Sequence, residues 1–301
     1  MDTVTPLKIS LFSNLLNGVL DPILIFTFKM GVTGAALATL VSEIASGILF
    51  TTLLLRRKMI VPSKLFRIPD WAKLVPLLKG GAALQLRNFA LNVTFLAVTR
   101  VTQSIDDTGV AAAAHAMAIQ TFQIGGIVLL ALSTVAQIVV PNAMIEKVDE
   151  ETGERSGGIL AAKDIVSRLM RWGLILGTIL GSLQTLLIPS LQKSTPIVAV
   201  REAARVPALL ASLYQVINGI VFIGEGVMVG CGSFLQLSLS TLVATIATVL
   251  ALFKFPQVYG LTGVWMSFGV FNSLRLTGVI IHQKITGPLV TKNTVKKIKN
   301  E

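Results

Sequence analysis

The chain has 301 residues, of which 53% are hydrophobic and only 14% are charged, and its mean hydropathy is +0.76. A soluble domain of this length needs more charged surface to cover its core. Closed β-barrels also span bilayers, but their strands alternate apolar and polar residues, whereas the apolar runs here are long and continuous. The composition therefore predicts an all-α, polytopic membrane protein.

The net charge of +11 raises nucleic-acid binding as an alternative. The basic residues cluster in short segments between apolar runs, as at Arg56–Lys58, and only 6% of the chain is aromatic. Short basic segments are typical of cytoplasmic loops, so we predict the lipid bilayer as a partner and no nucleic acid. A single cysteine, Cys231, excludes an intrachain disulfide and a cysteine metal cluster. We expect no metal and no cofactor.

Eight runs approach the length of about 20 mostly apolar residues that a span requires. In chain order, the predicted spans are Leu7–Phe28, Val32–Leu55, Trp71–Val98, Val110–Val140, Ile165–Ile188, Pro207–Val229, Phe234–Phe253 and Leu261–Ile281. Most Lys and Arg residues follow the second, fourth and eighth spans, which predicts that both termini are cytoplasmic. The segment Glu146–Gly158 is predicted to be a solvated cytoplasmic linker.

Polar residues interrupt the first two spans. Asn17 and Asp21 are one helical turn apart on one face, and Pro22 removes a backbone donor beside them, so we predict a polar kink with a gating or, preferably, a packing role. Both residues are also candidate cavity-lining residues. Glu43 lies about half way along the second span. An ionisable side chain at membrane depth is costly, which makes Glu43 a candidate for binding a proton or a coupling ion.

The third and fourth spans carry candidate cavity-lining amides. Gln85, Asn88 and Asn92 share a face at helical spacing in the third span, and Gln120 and Gln123 lie in the fourth.

Three further residues of these spans and of the last span have other interpretations. Arg87 lies near the cytoplasmic end of the third span and is predicted to extend toward water. His115, in the outer part of the fourth span, is interpreted as a packing residue rather than a proton carrier. Arg275 in the last span is expected either to pair with an intramembrane acid or to extend toward the interface.

Glu225 is the principal candidate for a functional side chain. It lies inside the sixth span between Gly224 and Gly226, two turns after Asn218, another candidate cavity-lining residue. The two glycines are expected to leave space beside the carboxylate for a cation, a proton pathway or a substrate amine. Burial is expected to favour the protonated form and so permit proton exchange near neutral pH.

Small residues predict where helix backbones approach one another. They occur at Gly34–Thr39 and Ala111–Ala114, and at Gly173, Gly177 and Gly181. Close helix contacts in membranes are enriched in such residues.

Several of these segments together resemble the multidrug and toxic compound extrusion (MATE) family, and most closely its DNA-damage-inducible branch and plant relatives. Leu20-Asp21-Pro22 and Gly34-Ala35-Ala36 are similar to its fifth and sixth helices, and Ala113-Ala114-His115 to the start of its eighth. Glu225-Gly226 with Gly230-Cys231-Gly232 resembles the tenth, and Gly260-Leu261-Thr262-Gly263 the twelfth.

The resemblance implies a twelve-helix antiporter with two six-helix lobes around a central cavity. Such proteins export small organic solutes or drugs against an inward flow of H⁺ or Na⁺. On this mapping, residues 1–60 are the last two helices of the first lobe, residues 71–285 are the complete second lobe, and residues 286–301 are a cytoplasmic basic tail. The first four helices are expected to belong to a longer parent, of which this chain is a truncated form.

Three positions depart from the family pattern. Glu225 replaces the aspartate usual in this branch and keeps its charge, whereas Leu130 and Ser233 stand where acids are common. The loss of two acids, with the first-helix aspartate outside this chain, argues against assuming the family's standard ion coupling.

Other functions were weighed against the antiporter. A flippase for lipids or lipid-linked substrates of the related superfamily predicts a basic cavity, and a fragment that does not transport is a further alternative. An intramembrane enzyme needs paired aspartates, a serine with a histidine, or a metal motif, and His115 and His282 fit no such spacing. We therefore predict that the protein is not an enzyme.

Overall fold

The computed structural model describes residues 4–59, 70–148 and 155–290. Eight long helices form this part of the chain, and we number them α1 to α8. They are α1 Val4–Pro22, α2 Gly31–Arg56, α3 Trp71–Gln103, α4 Val110–Met144, α5 Gly158–Gln192, α6 Val198–Gly230, α7 Phe234–Leu252 and α8 Phe255–Ile281. A π-helical turn extends α1 over Ile23–Thr27, and another extends α8 over His282–Thr286. All but residues 286–290 of the predicted basic tail lie outside the described residues.

Seven of these helices are long and apolar enough to cross a membrane, and the predicted helical membrane architecture is confirmed. The exception within the described residues is α3, the third predicted span. It forms a continuous helix of 33 residues, but it is not among the seven. Gln85, Arg87, Asn88 and Asn92 lower its hydropathy, so its helical period was read correctly while its apolarity was overestimated.

The chain divides into two compact units, Met1–Leu74 and Val75–Glu301. In the first unit, α1 and α2 pack as a hairpin. The Ser13 hydroxyl donates to the Ser42 carbonyl over 3.0 Å, and a Cβ added at Gly34 would lie 2.8 Å from the Leu24 backbone. The π-helical turn begins directly after Pro22, as expected of a proline that removes a backbone donor.

Helix α6 is the centre of the second unit, and half of its most apolar stretch is buried. Against α5 it packs backbone to backbone: a Cβ at Gly177 would lie 2.5 Å from the Gln215 carbonyl oxygen, and one at Gly181 would lie 2.5 Å from that of Ser212. The predicted close approach at Gly177 and Gly181 is therefore observed.

Helix α4 packs on another side of α6. The Ser133 hydroxyl donates to the Phe222 carbonyl over 2.7 Å, and a Cβ at Gly226 would lie 2.5 Å from the Ser133 carbonyl oxygen. Higher up, Gln215 donates to the Phe122 carbonyl over 2.8 Å. The bonded residues are 89 and 93 positions apart at the two levels. Because this separation barely changes along the helices, α4 and α6 run parallel.

Helix α8 runs parallel to α6 as well. The Tyr214 hydroxyl donates to the Trp265 carbonyl over 2.8 Å, and Phe122 and Phe268 contact the Trp265 ring edge-on. The helix is broken at Gly260, whose φ of +54° few residues other than glycine adopt. This break explains why the sequence pattern placed the start of the span at Leu261.

A carboxylate caps α4. Asp106 accepts hydrogen bonds from the Ala111 amide at 2.8 Å, from the Val110 amide at 3.2 Å and from the Thr108 hydroxyl at 2.6 Å. The Thr108 bond, followed by those from the backbone amides, lowers the pKa of Asp106 below its ordinary value of 3.8. The first amides of the helix thereby acquire an acceptor.

Between α4 and α5, Lys147–Val148 pairs antiparallel with Arg155–Ser156. This two-residue ladder lies in the segment predicted to be a solvated cytoplasmic linker, and the all-α fold class is confirmed. Residues 149–154 of the linker lie outside the described residues.

We expect Gly177→Ala to destabilise the protein by about 1–3 kcal/mol, because the new methyl group collides with backbone that cannot move freely. Gly81→Ala is the matched control, since a Cβ at Gly81 meets nothing within 4 Å. Because alanine is a better helix former than glycine, Gly81→Ala should leave stability unchanged or raise it by up to about 1 kcal/mol. Thermal unfolding in detergent measures both, and equal midpoints would contradict the close packing of α5 on α6.

The Asp106 cap predicts an acid-dependent loss of stability. Its lowered pKa means that the contribution is complete above pH 3.8 and is lost as pH falls below 3.8 through the folded-state value. The unfolding midpoint, measured between pH 6 and pH 2, should therefore fall less steeply for Asp106→Asn than for the unaltered chain. Asp107→Asn, which removes the neighbouring exposed carboxylate, should retain the original slope.

Candidate functional site

Glu225 holds two arginines from two other helices. Its carboxylate accepts from Arg275 of α8 at both oxygens, with Nε–Oε1 2.7 Å and Nη2–Oε2 2.8 Å, and from Arg87 Nη2 of α3 at 2.6 Å. The side chains of Glu225 and Arg275 are only 6% and 7% exposed, whereas Arg87 is 20% exposed. We call these three residues the ion triad.

Aromatic rings complete the surroundings of Arg275. Its guanidinium carbon lies 5.6 Å from the ring centre of Phe222 and 5.2 Å from that of Phe271. A guanidinium over a ring face is attracted by the ring quadrupole, and the two-pronged contact with the carboxylate fixes its orientation. Of the two expectations for Arg275, pairing with an intramembrane acid is correct.

The expectation for Arg87 was wrong. It does not extend away from the helix bundle toward water but reaches Glu225, although its Nε is buried without a hydrogen-bond partner in the described structure. The sequence could not distinguish these outcomes, because a long side chain near a helix end reaches in either direction. Only the packing of α3 decides between them.

Two expectations for Glu225 are also corrected. The positions beside it are filled: a Cβ at Gly224 would collide with Val279, and one at Gly226 with Ser133, so these glycines permit close packing rather than leaving space. Two guanidinium groups on one carboxylate favour its charged form, and burial alone does not set its protonation. The ion triad carries one excess positive charge.

Asn218 lies two turns before Glu225 on α6 and is fully buried. Neither atom of its amide has a hydrogen-bond partner, and the Asn272 Oδ1 on α8 has none in the described structure either. Because α6 and α8 run parallel, with Tyr214 at the level of Trp265 and Glu225 at that of Arg275, Asn218 and Asn272 lie at nearby depths. Buried amides without partners bind water or polar ligand groups readily.

A second polar region is a cavity of about 480 Å³ between α3 and α4. Asn92 and Gln123, two of the predicted cavity-lining residues, both line it, so the tertiary structure brings them together. His115 lines it too, with its ring 5.7 Å from that of Trp265, which agrees with the packing role expected of it.

The other predicted residues do not converge on these two regions. Gln85, Asn88 and Gln120 are exposed on their helices. In the first unit, Asn17 donates to the Thr39 hydroxyl over 3.4 Å, Asp21 keeps one buried oxygen without a partner, and Glu43 is exposed. The packing role expected of Asn17 fits its contact, whereas the role of Glu43 stays a prediction.

Sequence reasoning missed part of the buried polar network. Gln215 and Gln184 each donate to a carbonyl of α4, at Phe122 and Thr121, and each keeps an unpartnered buried carbonyl oxygen. Their position inside apolar runs was the available signal. In the described residues, no three His, Cys, Asp or Glu side chains approach closely enough to hold a metal ion.

The fold is that of MATE transporters. A solved MATE transporter in the bent conformation superposes with a TM-score of 0.78 at 18% identity, over 98% of this chain and 63% of that one. A transporter of the wider superfamily from Pyrococcus furiosus, described as having a binding pocket of reversed polarity, gives a TM-score of 0.77 at 19% identity, over 94% and 62% of the two chains.

Curated relatives extend this likeness to the sequence, although no family model matches the chain. Protein DETOXIFICATION 44, chloroplastic, of Arabidopsis thaliana is 27% identical over 91% of this chain and 50% of its own length. Protein DETOXIFICATION 43 of the same plant is 24% identical over 95% and 52%. The resemblance to the MATE family is thereby confirmed, and the chain spans about half the length of the curated relatives it matches.

We expect Glu225→Gln to destabilise the protein by about 3 kcal/mol, since it leaves the buried Arg275 and the partly exposed Arg87 without a counter-charge. Adding Arg87→Gln to this variant restores the original excess of one positive charge and should recover part of the loss. Glu202→Gln, an exposed position on the same helix, is the matched control and should unfold like the unaltered chain. Thermal unfolding in detergent measures all three, and an unchanged midpoint for Glu225→Gln would contradict the ion triad.

Proposed function

We propose that the chain is part of a secondary active transporter that exports small organic solutes or drugs in exchange for protons or sodium ions. Its fold and its relatives support membrane efflux, and transporters of this kind are not enzymes. Residues 71–285 would form the complete six-helix C-terminal lobe, and residues 1–60 the last two helices of the N-terminal lobe. Both termini would lie in the cytoplasm.

The buried ion triad is the observation that carries this proposal. Ionisable groups at membrane depth are costly, and where they persist they commonly mark ion or proton pathways. Here one carboxylate is shared by α3 and α8 and therefore links two helices that a rocking motion would move. Such a link can respond to an ion only if the ion competes with a guanidinium.

Arg87 is the contact that would yield first. It makes a single bond to Glu225 and is partly exposed, whereas Arg275 makes two bonds and lies between aromatic rings. A proton or a sodium ion reaching Glu225 would replace the Arg87 contact and release α3, while Arg275 stays in place. Glu225 is thus the coupling residue of the proposal, and Glu43 of the first unit is a second candidate.

The cargo would contact the polar cavity between α3 and α4. Asn92 and Gln123 supply neutral donors and acceptors there, which suits orientation of an uncharged or singly charged organic molecule. A substrate amine was one expectation for the space beside Glu225, but two arginines neutralise this carboxylate within the unit. Cargo charge is therefore an outcome of the transport experiment. The flippase predicts a basic cargo cavity, and the α3–α4 cavity has no Lys or Arg among its described lining residues.

The protein, reconstituted in liposomes, tests the proposal. Export of a fluorescent organic cation and of a fluorescent organic carboxylate is followed under an imposed proton or sodium gradient. We expect gradient-driven export of at least one probe, retained in Glu202→Gln. Export should be lost in Arg87→Gln, which removes the contact that the ion would displace, and in the variant that combines Glu225→Gln with Arg87→Gln.

The comparison with Glu202→Gln isolates the buried carboxylate, because Glu202→Gln also removes one carboxylate from α6 but leaves the ion triad intact. Equal coupled export by the combined variant and the unaltered protein would exclude Glu225 from coupling. Absence of gradient-driven export of either probe by the unaltered protein would contradict the proposed function itself.

A further inference from the structure

A groove of about 560 Å³ lies in the second unit, apart from the ion triad and the α3–α4 cavity. It runs between α5 and the end of α8, and Ile220 of α6 also lines it. Most of its lining is aliphatic, contributed by Val166, Met170 and Leu174 of α5 and by Val279 of α8. Its aliphatic walls suit a hydrocarbon chain.

Basic side chains line the same groove. Its lining includes Lys163 and Arg171 of α5 and Lys284 of the π-helical turn. Arg171 and Lys284 are exposed. None of the lining residues is acidic among those that the structure describes. An apolar groove with exclusively positive charge selects an amphipathic anion.

Gln283 supplies a second, independent observation. It lines the groove, and its amide nitrogen Nε2 is buried without a hydrogen-bond partner in the described structure. A buried N–H without an acceptor destabilises the protein. An anionic oxygen bound beside Arg171 and Lys284 would supply that acceptor.

The basic residues lie where a membrane–water boundary is expected. Trp172–Gln192 contains no charged residue and, as a helix, covers about 30 Å, the thickness of a hydrocarbon core. Arg171 therefore lies at the edge of the core, next to Trp172, which is 62% exposed, as interfacial tryptophans are. Lys284 ends the apolar stretch of α8 at the same groove, on the predicted cytoplasmic side.

We propose that this groove binds an anionic phospholipid, with its phosphate held by Arg171, Lys284 and the Gln283 amide and an acyl chain along the aliphatic wall. A zwitterionic lipid carries the same phosphate, but its quaternary ammonium group would lie against the basic lining. A free phosphate would leave the aliphatic wall unused. The site needs only the membrane location of the chain and is independent of the proposed transport.

Lipid binding to the purified full chain tests the site. Native mass spectrometry follows the titration of the detergent-solubilised chain with phosphatidylglycerol and with phosphatidylcholine of identical acyl chains. We expect tighter binding of phosphatidylglycerol, and a weakening of roughly fivefold for each charge removed in the double variant Arg171→Gln with Lys284→Gln.

The matched control removes two exposed basic residues at the opposite ends of α5 and α7, in the double variant Lys193→Gln with Lys254→Gln. It should bind phosphatidylglycerol as tightly as the unaltered chain. Gln283→Leu keeps every charge and should weaken phosphatidylglycerol binding severalfold. Thermal unfolding shows whether the double variant Arg171→Gln with Lys284→Gln is folded. If it is not, phosphatidylglycerol binding by Gln283→Leu tests the site instead.

Four results would overturn the assignment. They are equal binding of the two lipids by the unaltered chain, an equal loss in the control double variant, undiminished binding in both Gln283→Leu and the folded groove variant, and displacement of phosphatidylglycerol by an equal concentration of glycerol 3-phosphate. The last result would indicate a site for a free anion rather than for a lipid.

Discussion

A carboxylate buried at membrane depth is the constraint on which the second unit depends. Glu225 would be prohibitively costly there without counter-charge, and one arginine would suffice to neutralise it. The chain supplies two, from α3 and α8, so that three helices meet at one group. Arg275 makes two hydrogen bonds to Glu225 and lies between two aromatic rings, whereas Arg87 makes one hydrogen bond, so the Arg275 contact is the stronger of the two. The two contacts on Glu225 therefore differ in their number of hydrogen bonds and in exposure.

The central place of α6 follows from its small residues. Gly219 and Gly226 bring the backbones of α5 and α4 against it, so this helix loses contact with lipid over much of its length. A helix enclosed in this way can carry Asn218 and Glu225, which a lipid-facing helix could not. Close packing also explains why the glycines that flank Glu225 do not open a cavity: Val279 and the Ser133 backbone occupy those positions.

Much of the architecture was predictable because hydrophobic length and basic loop segments are local signals. The predicted spans agree with the observed helices within a few residues for α2 and α7, and less well where α5 and α6 begin, because these helices continue beyond the apolar run. Helix α3 was predicted as a span, although its polar side chains keep it from being apolar enough for one. Residue type suggested Asn92 and Gln123 as cavity-lining residues, and only the tertiary structure, in which α3 and α4 line one cavity, brought them together.

The sequence by itself determined that the chain forms long membrane helices, which of them carry ionisable groups, and which family it resembles. All three properties depend on residue type and on spacing along single helices. The tertiary structure alone decided the partners of Glu225, because the residues are 138 and 50 positions apart and their contact depends on how helices rotate about their axes. It also decided that the groove between α5 and α8 joins aliphatic walls to Arg171 and Lys284. Helical periodicity fixes the residues on each face, but only packing fixes which faces meet.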